Sequence, residues 1–248
     1  MGEVLLEVQE GVAILTLNAP ERRNALVPSM VRELLELCDQ IDNDASIGAV
    51  VVRAAGESFC AGAHRALLAE AGQDPARPDR YRDLELTYRA FARVGELRPP
   101  TIAAVRGHAV GAGVNLMLAT DLRLIAERAR VIAGFLRIGI HPGGGHFTLL
   151  GRLAGREAAA AMALFGEEID GRTAVRLGLA WEALPEPEVE PRALEMARRV
   201  AADPELARAA VRSLRLELGP PAIPWTAALE VEKAVQMWSL RRRAERHG

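Results

Sequence analysis

Alternating apolar and polar residues near the start of the chain predict a β-hairpin. Residues 4–8 and 12–17 are rich in strand-forming side chains, and Glu10 and Gly11 lie between them as the turn. Four later segments have the length and the aliphatic content of buried strands. These segments are residues 49–52, 101–105, 122–126 and 130–133.

Helical periodicity fills most of the chain between these strands. In residues 28–42 the spacing of Met30, Leu34 and Ile41 predicts an amphipathic helix, and residues 81–97 predict a second one. Residues 71–79 are polar and contain glycine and proline, which predicts a mobile surface segment. The alternation of strands with helices indicates the α/β class.

The strand patterns end near residue 185, where two prolines flank a glutamate. Beyond that point only helices are predicted, at residues 189–202, at 204–217 and from 225 to the end. We therefore predict an α/β core over residues 1–185 and a helical C-terminal region over residues 186–248.

Composition and charge exclude several classes of protein. A formal net charge of −2 argues against a general nucleic-acid binder, which would carry a large basic excess. Two cysteines are too few for a disulfide framework or a cysteine-rich zinc site. No apolar run reaches the roughly 18 residues that a membrane span needs, so we expect a cytoplasmic protein without a membrane span. Lys233 is the only lysine, and no phosphate-binding loop of the Gly-Lys-Ser/Thr type is present.

Two loops of small residues repeat one construction, in which a buried strand leads to a turn that opens a helix. The first loop is residues 59–63, with a helix from about His64, and the second is residues 107–113, with a helix from about Val114. Helix N-termini present unpaired backbone N–H groups, so two adjacent loops could each donate one N–H to the same oxyanion. The glycines could equally serve close helix–strand packing. A dinucleotide site is disfavoured, because Leu116 stands where the third glycine of that fingerprint belongs.

Four ordered motifs resemble the enoyl-CoA hydratase/isomerase (crotonase) superfamily. They read APERRNAL at 19–26, FCAGA at 59–63, GHAVGAG at 107–113 and PGGG at 142–145. The resemblance implies a spiral of ββα units followed by a helical C-terminal region that forms trimers. It also implies a homotrimer or hexamer, and a coenzyme A thioester as substrate or ligand without a further cofactor or metal.

The resemblance also assigns an acyl-CoA site. The backbone N–H groups of Ala63 and Ala112 would form an oxyanion hole for the thioester carbonyl. Ala25 and Ala61 would lie against the adenine and Arg23 near the phosphates. His64, directly after the alanine of the first loop, is also placed among the candidate acyl-CoA contacts.

The carboxylates expected of this family are missing from their positions. Hydratases of the family carry two glutamates, at positions occupied here by Asn115 and Phe135, and isomerase-type members carry an aspartate where this chain has Gly143. An amide cannot take a proton near neutral pH, so Asn115 could only orient water or a carbonyl. His141 and His146 flank the same glycine turn and are the candidate replacements, because histidine exchanges protons near pH 7.

Three functional hypotheses remain open at this point. The first is an acyl-CoA enzyme that uses the oxyanion hole with a non-glutamate group. The second is a non-catalytic acyl-CoA-binding protein, and the third is a weak hydratase that relies on water held by Asn115.

Overall fold

The computed structural model describes residues 2–218 and 224–247. The described part contains ten strands: β1 Val4–Gln9, β2 Val12–Leu17, β3 Ala49–Ala54, β4 Ser58–Cys60, β5 Thr101–Val105, β6 His108–Val110, β7 Leu122–Ala126, β8 Arg130–Ile132, β9 Glu168–Asp170 and β10 Glu182–Leu184. Its α-helices are α1 Pro28–Asn43, α2 Arg65–Gln73, α3 Pro78–Gly95, α4 Ala112–Ala119, α5 His146–Ala163, α6 Gly171–Arg176, α7 Glu186–Ala201, α8 Pro204–Leu218 and α9 Trp225–His247.

The main sheet contains six strands in the order β1-β2-β3-β5-β7-β10. Strand β1 pairs with β2 in the antiparallel manner of a hairpin, and the remaining pairs are parallel. Strand β2 is buried over its whole length and β3 almost so, as aliphatic strands covered on both faces should be. The hairpin and the other predicted strands of this sheet are confirmed.

A second sheet of four strands, in the order β4-β6-β8-β9, lies beside the main one. Each passage of the chain through β3, β5 and β7 continues into β4, β6 and β8 before a helix follows. This repetition is the predicted spiral of ββα units, which the topology confirms. Strands β4 and β6 have three residues each, too short for periodicity to separate them from the loops that the sequence indicated there.

The predicted surface segment over residues 71–79 is shorter in the structure, where only residues 74–77 lie between two helices, and its mobility stays a prediction. Helix α2 continues to Gln73, α3 already begins at Pro78, and both Ala71 and Gly72 are buried. A Cβ atom on Gly72 would lie 2.7 Å from the carbonyl oxygen of Leu240 in α9. The glycine therefore permits a close contact between two helices rather than a flexible loop.

The helical C-terminal region packs back onto the core. Helix α7 buries Val189, Ala193 and Ala197, and the Arg215 guanidinium of α8 forms a two-pronged ion pair with Asp121 at the start of β7. The boundary at residue 185 stays a prediction, as does trimer formation. None of the described helices is both long and apolar enough to cross a membrane.

Candidate active site

The two small-residue loops lie directly against each other. A Cβ atom on Gly62 would stand 2.7 Å from the carbonyl oxygen of Val110 and 3.2 Å from the backbone nitrogen of Ala112. A Cβ atom on Gly113 would stand 2.1 Å from the carbonyl oxygen of Cys60. Gly62 also has a φ of +86°, which side chains rarely adopt. Only glycine at these two positions lets the loops approach so closely.

The N–H group of Ala63 faces away from the segment that pairs with its loop. In a parallel bridge, the N–H of Leu26 donates to the carbonyl of Gly62 at 2.7 Å, and the N–H of His64 donates to the carbonyl of Leu26 at 3.0 Å. Because successive N–H groups of an extended segment point to opposite sides, the N–H of Ala63 points the other way.

Ala112 is the first residue of α4, after the N-cap residue Gly111. Its N–H has no acceptor within the helix, as is general for the first turn. Within the described part of the chain, no backbone or side-chain atom accepts a hydrogen bond from the N–H of Ala63 or Ala112. Two unused donors from two interlocked loops therefore border the same space.

That space is a cavity of about 450 Å³. Of the predicted contact residues, Arg23, Ala61, Ala63 and Ala112 line it. Neither Ala25, which is buried, nor His64 reaches its wall. His64 instead serves as the N-cap of α2, where its Nδ1 accepts a hydrogen bond from the N–H of Ala66 at 3.3 Å.

The buried amide of Asn24 holds the loop that precedes the first contact residues. Its Oδ1 accepts from the N–H of Ala19 at 2.8 Å, and its Nδ2 donates to the carbonyls of Ala55 at 2.9 Å and Ser58 at 2.8 Å. Its φ of +53° falls in the left-handed region that asparagine tolerates better than most residues. Asn24 thus ties Arg23 and its neighbours to the β3–β4 connection.

Replacing Asn24 by aspartate is expected to lower the free energy of unfolding by about 3 kcal/mol or more. The carboxylate would lose both donations and would face two carbonyl oxygens in a buried site. Asn18→Asp is the matched control, because its Nδ2 makes one bond, to the carbonyl of Gly2 at 2.9 Å, at a half-buried position. The Asn18→Asp substitution should lower the free energy of unfolding by about 1 kcal/mol. Urea denaturation of both variants tests this, and equal losses would contradict it.

Asn115 lies behind the glycine turn rather than on the cavity wall. Its Nδ2 donates to the carbonyl of Gly143 at 3.0 Å, while its Oδ1 accepts from Nδ1 of His146 at 2.7 Å. The carbonyl partner fixes the orientation of the amide, which in turn assigns the proton of the neutral imidazole to Nδ1. These contacts give Asn115 a role in holding the turn. The predicted role in orienting water stays a prediction.

His146 is fully buried at the start of α5, and burial lowers its pKa to about 3. Its ring meets the edge of Phe135, with ring centroids 4.8 Å apart. Because an apolar environment disfavours the imidazolium, His146 is expected to be neutral near pH 7. Its predicted part in catalysis stays a prediction.

The low pKa of His146 predicts a specific pH dependence of stability. Between the unfolded value of 6.5 and about 3, the unfolded chain binds the proton that the folded chain rejects, so stability falls as pH falls through this window. Going from pH 7 to pH 5 should cost about 2 kcal/mol from this group alone. The His146→Gln variant should not show this loss of about 2 kcal/mol when its free energy of unfolding in urea is measured at pH 7 and at pH 5. An equal loss in both proteins would contradict the assignment.

His141 also has local partners. Its Nδ1 lies 2.6 Å from the carbonyl oxygen of Pro142, to which it donates, and its ring meets Phe147 edge-on at 6.0 Å. It is half-buried and does not line the cavity. Its predicted part in catalysis stays a prediction.

Of the three positions where the family carries catalytic carboxylates, two border the cavity in this chain. Phe135 and Gly143 line it, and Asn115 stands behind Gly143. None of the described residues that line the cavity carries a carboxylate. Its ionisable lining groups are Tyr88 and three exposed arginines: Arg23, Arg65 and Arg137.

Sequence reasoning missed one side of the cavity. Helix α3 contributes Leu84, Thr87 and Tyr88, and helix α9 contributes the buried Gln236. Neither helix carries a motif that would mark these residues. Helical periodicity indicated which faces are buried but not that they enclose a cavity.

Comparison with known proteins identifies the family. Residues 7–236 match the model of the enoyl-CoA hydratase/isomerase family. Over 221 residues the chain is 42% identical to the protein named "Probable enoyl-CoA hydratase EchA14" of Mycobacterium tuberculosis, covering 89% of this chain and 84% of that one. It is 34% identical to 1,2-epoxyphenylacetyl-CoA isomerase of Escherichia coli, over 81% of this chain and 77% of that enzyme.

Solved structures agree with this assignment. The Pseudomonas aeruginosa protein PA4980 superposes with a TM-score of 0.80 at 33% identity, covering 94% of this chain and 98% of that one. An enoyl-CoA hydratase/isomerase from Pseudoalteromonas atlantica superposes with a TM-score of 0.84 at 25% identity, covering 98% and 94% of the two chains. The fold and these relatives together show that the chain belongs to the enoyl-CoA hydratase/isomerase family.

Proposed function

We propose that the cavity binds an acyl-CoA and that the N–H groups of Ala63 and Ala112 hold its thioester carbonyl. The observation that carries this proposal is the pair of unused N–H donors from two loops interlocked through Gly62 and Gly113. The printed names of two relatives, 1,2-epoxyphenylacetyl-CoA isomerase and 2,3-dehydroadipyl-CoA hydratase, support a coenzyme A thioester as the ligand.

Two hydrogen bonds to a thioester oxygen draw electron density toward it. This stabilises the enolate that forms when a proton leaves the α-carbon or a nucleophile adds to the β-carbon. The α4 N-terminus adds the positive end of the helix dipole to the same place. The site is therefore suited to chemistry that passes through a thioester enolate, the class to which lyases and isomerases of this family belong.

The lack of carboxylates among the described lining residues supports a function other than efficient hydration. Hydration requires a group that takes a proton from water near neutral pH, and arginine does not serve as one. We infer an acyl-CoA enzyme other than a two-glutamate hydratase. The same observation supports the second candidate, a protein that binds acyl-CoA without turning it over.

Three exposed arginines at the cavity suit the phosphates of coenzyme A. Arg23, Arg65 and Arg137 all line it, and guanidinium groups bind phosphate through paired hydrogen bonds. Arg137 also pairs with Glu168, so part of its charge is already compensated.

A binding experiment with butyryl-CoA tests the proposal, because this saturated thioester cannot be hydrated. Calorimetry should give saturable binding to the wild-type protein. Ala112→Pro removes one N–H at a helix position where proline is tolerated, as Pro28 and Pro78 already show in α1 and α3. We expect about 10-fold weaker binding.

Ala112→Ser is the matched control, since it keeps the N–H and adds one small group. It should bind butyryl-CoA within about 2-fold of the wild type. No saturable binding to the wild type, or unchanged affinity in Ala112→Pro, would contradict the proposal.

We also propose a cytoplasmic homotrimer or hexamer, on the family resemblance. Large exposed apolar side chains support self-association, since Phe165 is 82% and Trp181 65% exposed in the single chain. Sedimentation should show a trimer or a multiple of it at micromolar concentration, and a stable monomer would contradict the proposal.

A further inference from the structure

A second cleft, of about 560 Å³, lies between α8 and the connection from α3 to β5, and we call it the α8 cleft. It shares no described lining residue with the cavity that the two glycine loops border. Its volume falls within the range of about 300–1,000 Å³ that small-molecule sites occupy. Against one carboxylate among its described lining residues, that of Glu96, its wall carries four arginines: Arg98, Arg208, Arg212 and Arg215. The cleft is therefore positive on a chain whose formal net charge is −2.

Two of these arginines are fixed by the surrounding fold. Arg215 donates to the carbonyl of Leu97 at 2.6 Å and pairs with Asp121 at 2.6 Å. Arg208 donates, over distances from 2.6 to 3.1 Å, to the carbonyls of four residues at and beyond the end of α1: Ile41, Asp42, Asp44 and Ile47. These acceptors are neutral carbonyl groups, so they position the Arg208 guanidinium without cancelling its positive charge. The cleft thus has a rigid, charged wall.

The other two arginines, Arg98 and Arg212, have donors to spare. Within the described ranges 2–218 and 224–247, neither guanidinium has an ion-pair or hydrogen-bond partner, and both residues are exposed. Other exposed arginines do have partners, as Arg77 does in its ion pair with Asp79 at 2.9 Å. A guanidinium presents five N–H donors in a planar fork that matches the oxygens of a phosphate group. The α8 cleft therefore combines open donors with positive charge that the chain leaves uncompensated.

We propose that the α8 cleft binds a small anion that carries two linked phosphate groups, such as free pyrophosphate or a nucleoside diphosphate. Each of the two open guanidinium groups can hold one phosphate through paired hydrogen bonds. The fixed charge of Arg208 attracts the same anion, and a bound anion relieves the repulsion among the arginines. Because the cleft and the cavity have no described lining residue in common, this inference stands apart from the proposed function.

Calorimetry of the full chain with inorganic pyrophosphate tests the proposal. Salt at about 0.15 M suppresses loose attraction between exposed charges. Under these conditions the wild type should bind one pyrophosphate per chain, about 10-fold more tightly than inorganic phosphate. The cleft variant, Arg98→Gln with Arg212→Gln, should bind pyrophosphate about 100-fold more weakly. Glu96→Gln removes the opposing carboxylate and should tighten binding by about 3-fold.

ADP in the same assay distinguishes the two sources of the diphosphate. An affinity equal to that of pyrophosphate supports recognition of the diphosphate alone. A tighter affinity for ADP, lost in the cleft variant, supports a nucleotide.

Two double variants serve as matched controls, because each also removes two positive charges at exposed positions. Arg128→Gln with Arg156→Gln lies outside both sites, and Arg23→Gln with Arg65→Gln alters only the first cavity. Both should bind pyrophosphate within about 2-fold of the wild type. No saturable binding to the wild type, or unchanged affinity in the cleft variant, overturns the proposal. Loss of binding in Arg23→Gln with Arg65→Gln also overturns it, because the anion would then occupy the first cavity.

Discussion

The purified protein is expected to hydrate crotonyl-CoA at least about 10⁴-fold more slowly than an established enoyl-CoA hydratase assayed in parallel. Loss of one acid/base group commonly lowers the rate by about 10²–10⁴-fold, and neither of the two glutamate positions carries a carboxylate here. Phe135 offers only an apolar ring, and the amide of Asn115 is occupied by Gly143 and His146. His146 is fully buried and is not among the described residues that line the cavity, so it is not placed to take a proton from a water bound there.

The loss of absorbance of the conjugated thioester measures this rate. Phe135→Glu should increase it, because position 135 lines the cavity. Asn115→Glu should not, because the new carboxylate would face the carbonyl of Gly143. A wild-type rate on the order of 10 s⁻¹, typical of ordinary enzymes, would show that the proton-transfer groups lie elsewhere.

Gly113→Ala is expected to lower the free energy of unfolding by about 3 kcal/mol and to abolish most butyryl-CoA binding. The new Cβ would lie 2.1 Å from the carbonyl oxygen of Cys60. That atom is backbone, so one loop must retreat by about 1 Å to reach ordinary contact. The movement separates the N–H groups of Ala63 and Ala112, which can then no longer share one oxygen.

Gly151→Ala is the matched control for this substitution. It lies within α5, and nothing stands within 4 Å of the added Cβ. Because alanine is the better helix former, this variant should be as stable as the wild type or up to about 1 kcal/mol more so. Thermal unfolding and calorimetry of both variants test the pair, and unchanged binding in Gly113→Ala would show that the loops need not interlock.

The sequence predicts the framework well because its strands and long helices carry strong periodic signals. Five of the six strands of the main sheet, all except β10, and helix α1 occur where aliphatic runs and helical spacing indicate them. The glycine loops were also recognisable, since a strand, a run of small residues and a helix follow one another in a fixed order. Their contact through Gly62 and Gly113 is a consequence of the parallel topology that this order produces.

The part of the site that sequence reasoning missed comes from long-range contacts. Gln236 reaches Gly143 across more than 90 positions of the chain, and no local pattern encodes that approach. Gly72 was misread because glycine is more often a mark of turns than of helix contacts. The burial of His146 and its bond to Asn115 were also beyond sequence reasoning, because both depend on how α5 packs against α4.

The carbonyl stretch of a ¹³C-labelled butyryl thioester tests the central claim most directly, since its frequency falls as the carbonyl is polarised. In infrared difference spectra, the band of the ligand bound to the wild type should lie below its position in water. In Ala112→Pro, measured at saturating ligand, the band should shift back toward that position, while Ala112→Ser should keep the full shift. A bound band at the frequency found in water, or the same band in all three proteins, would contradict a thioester held by the N–H groups of Ala63 and Ala112.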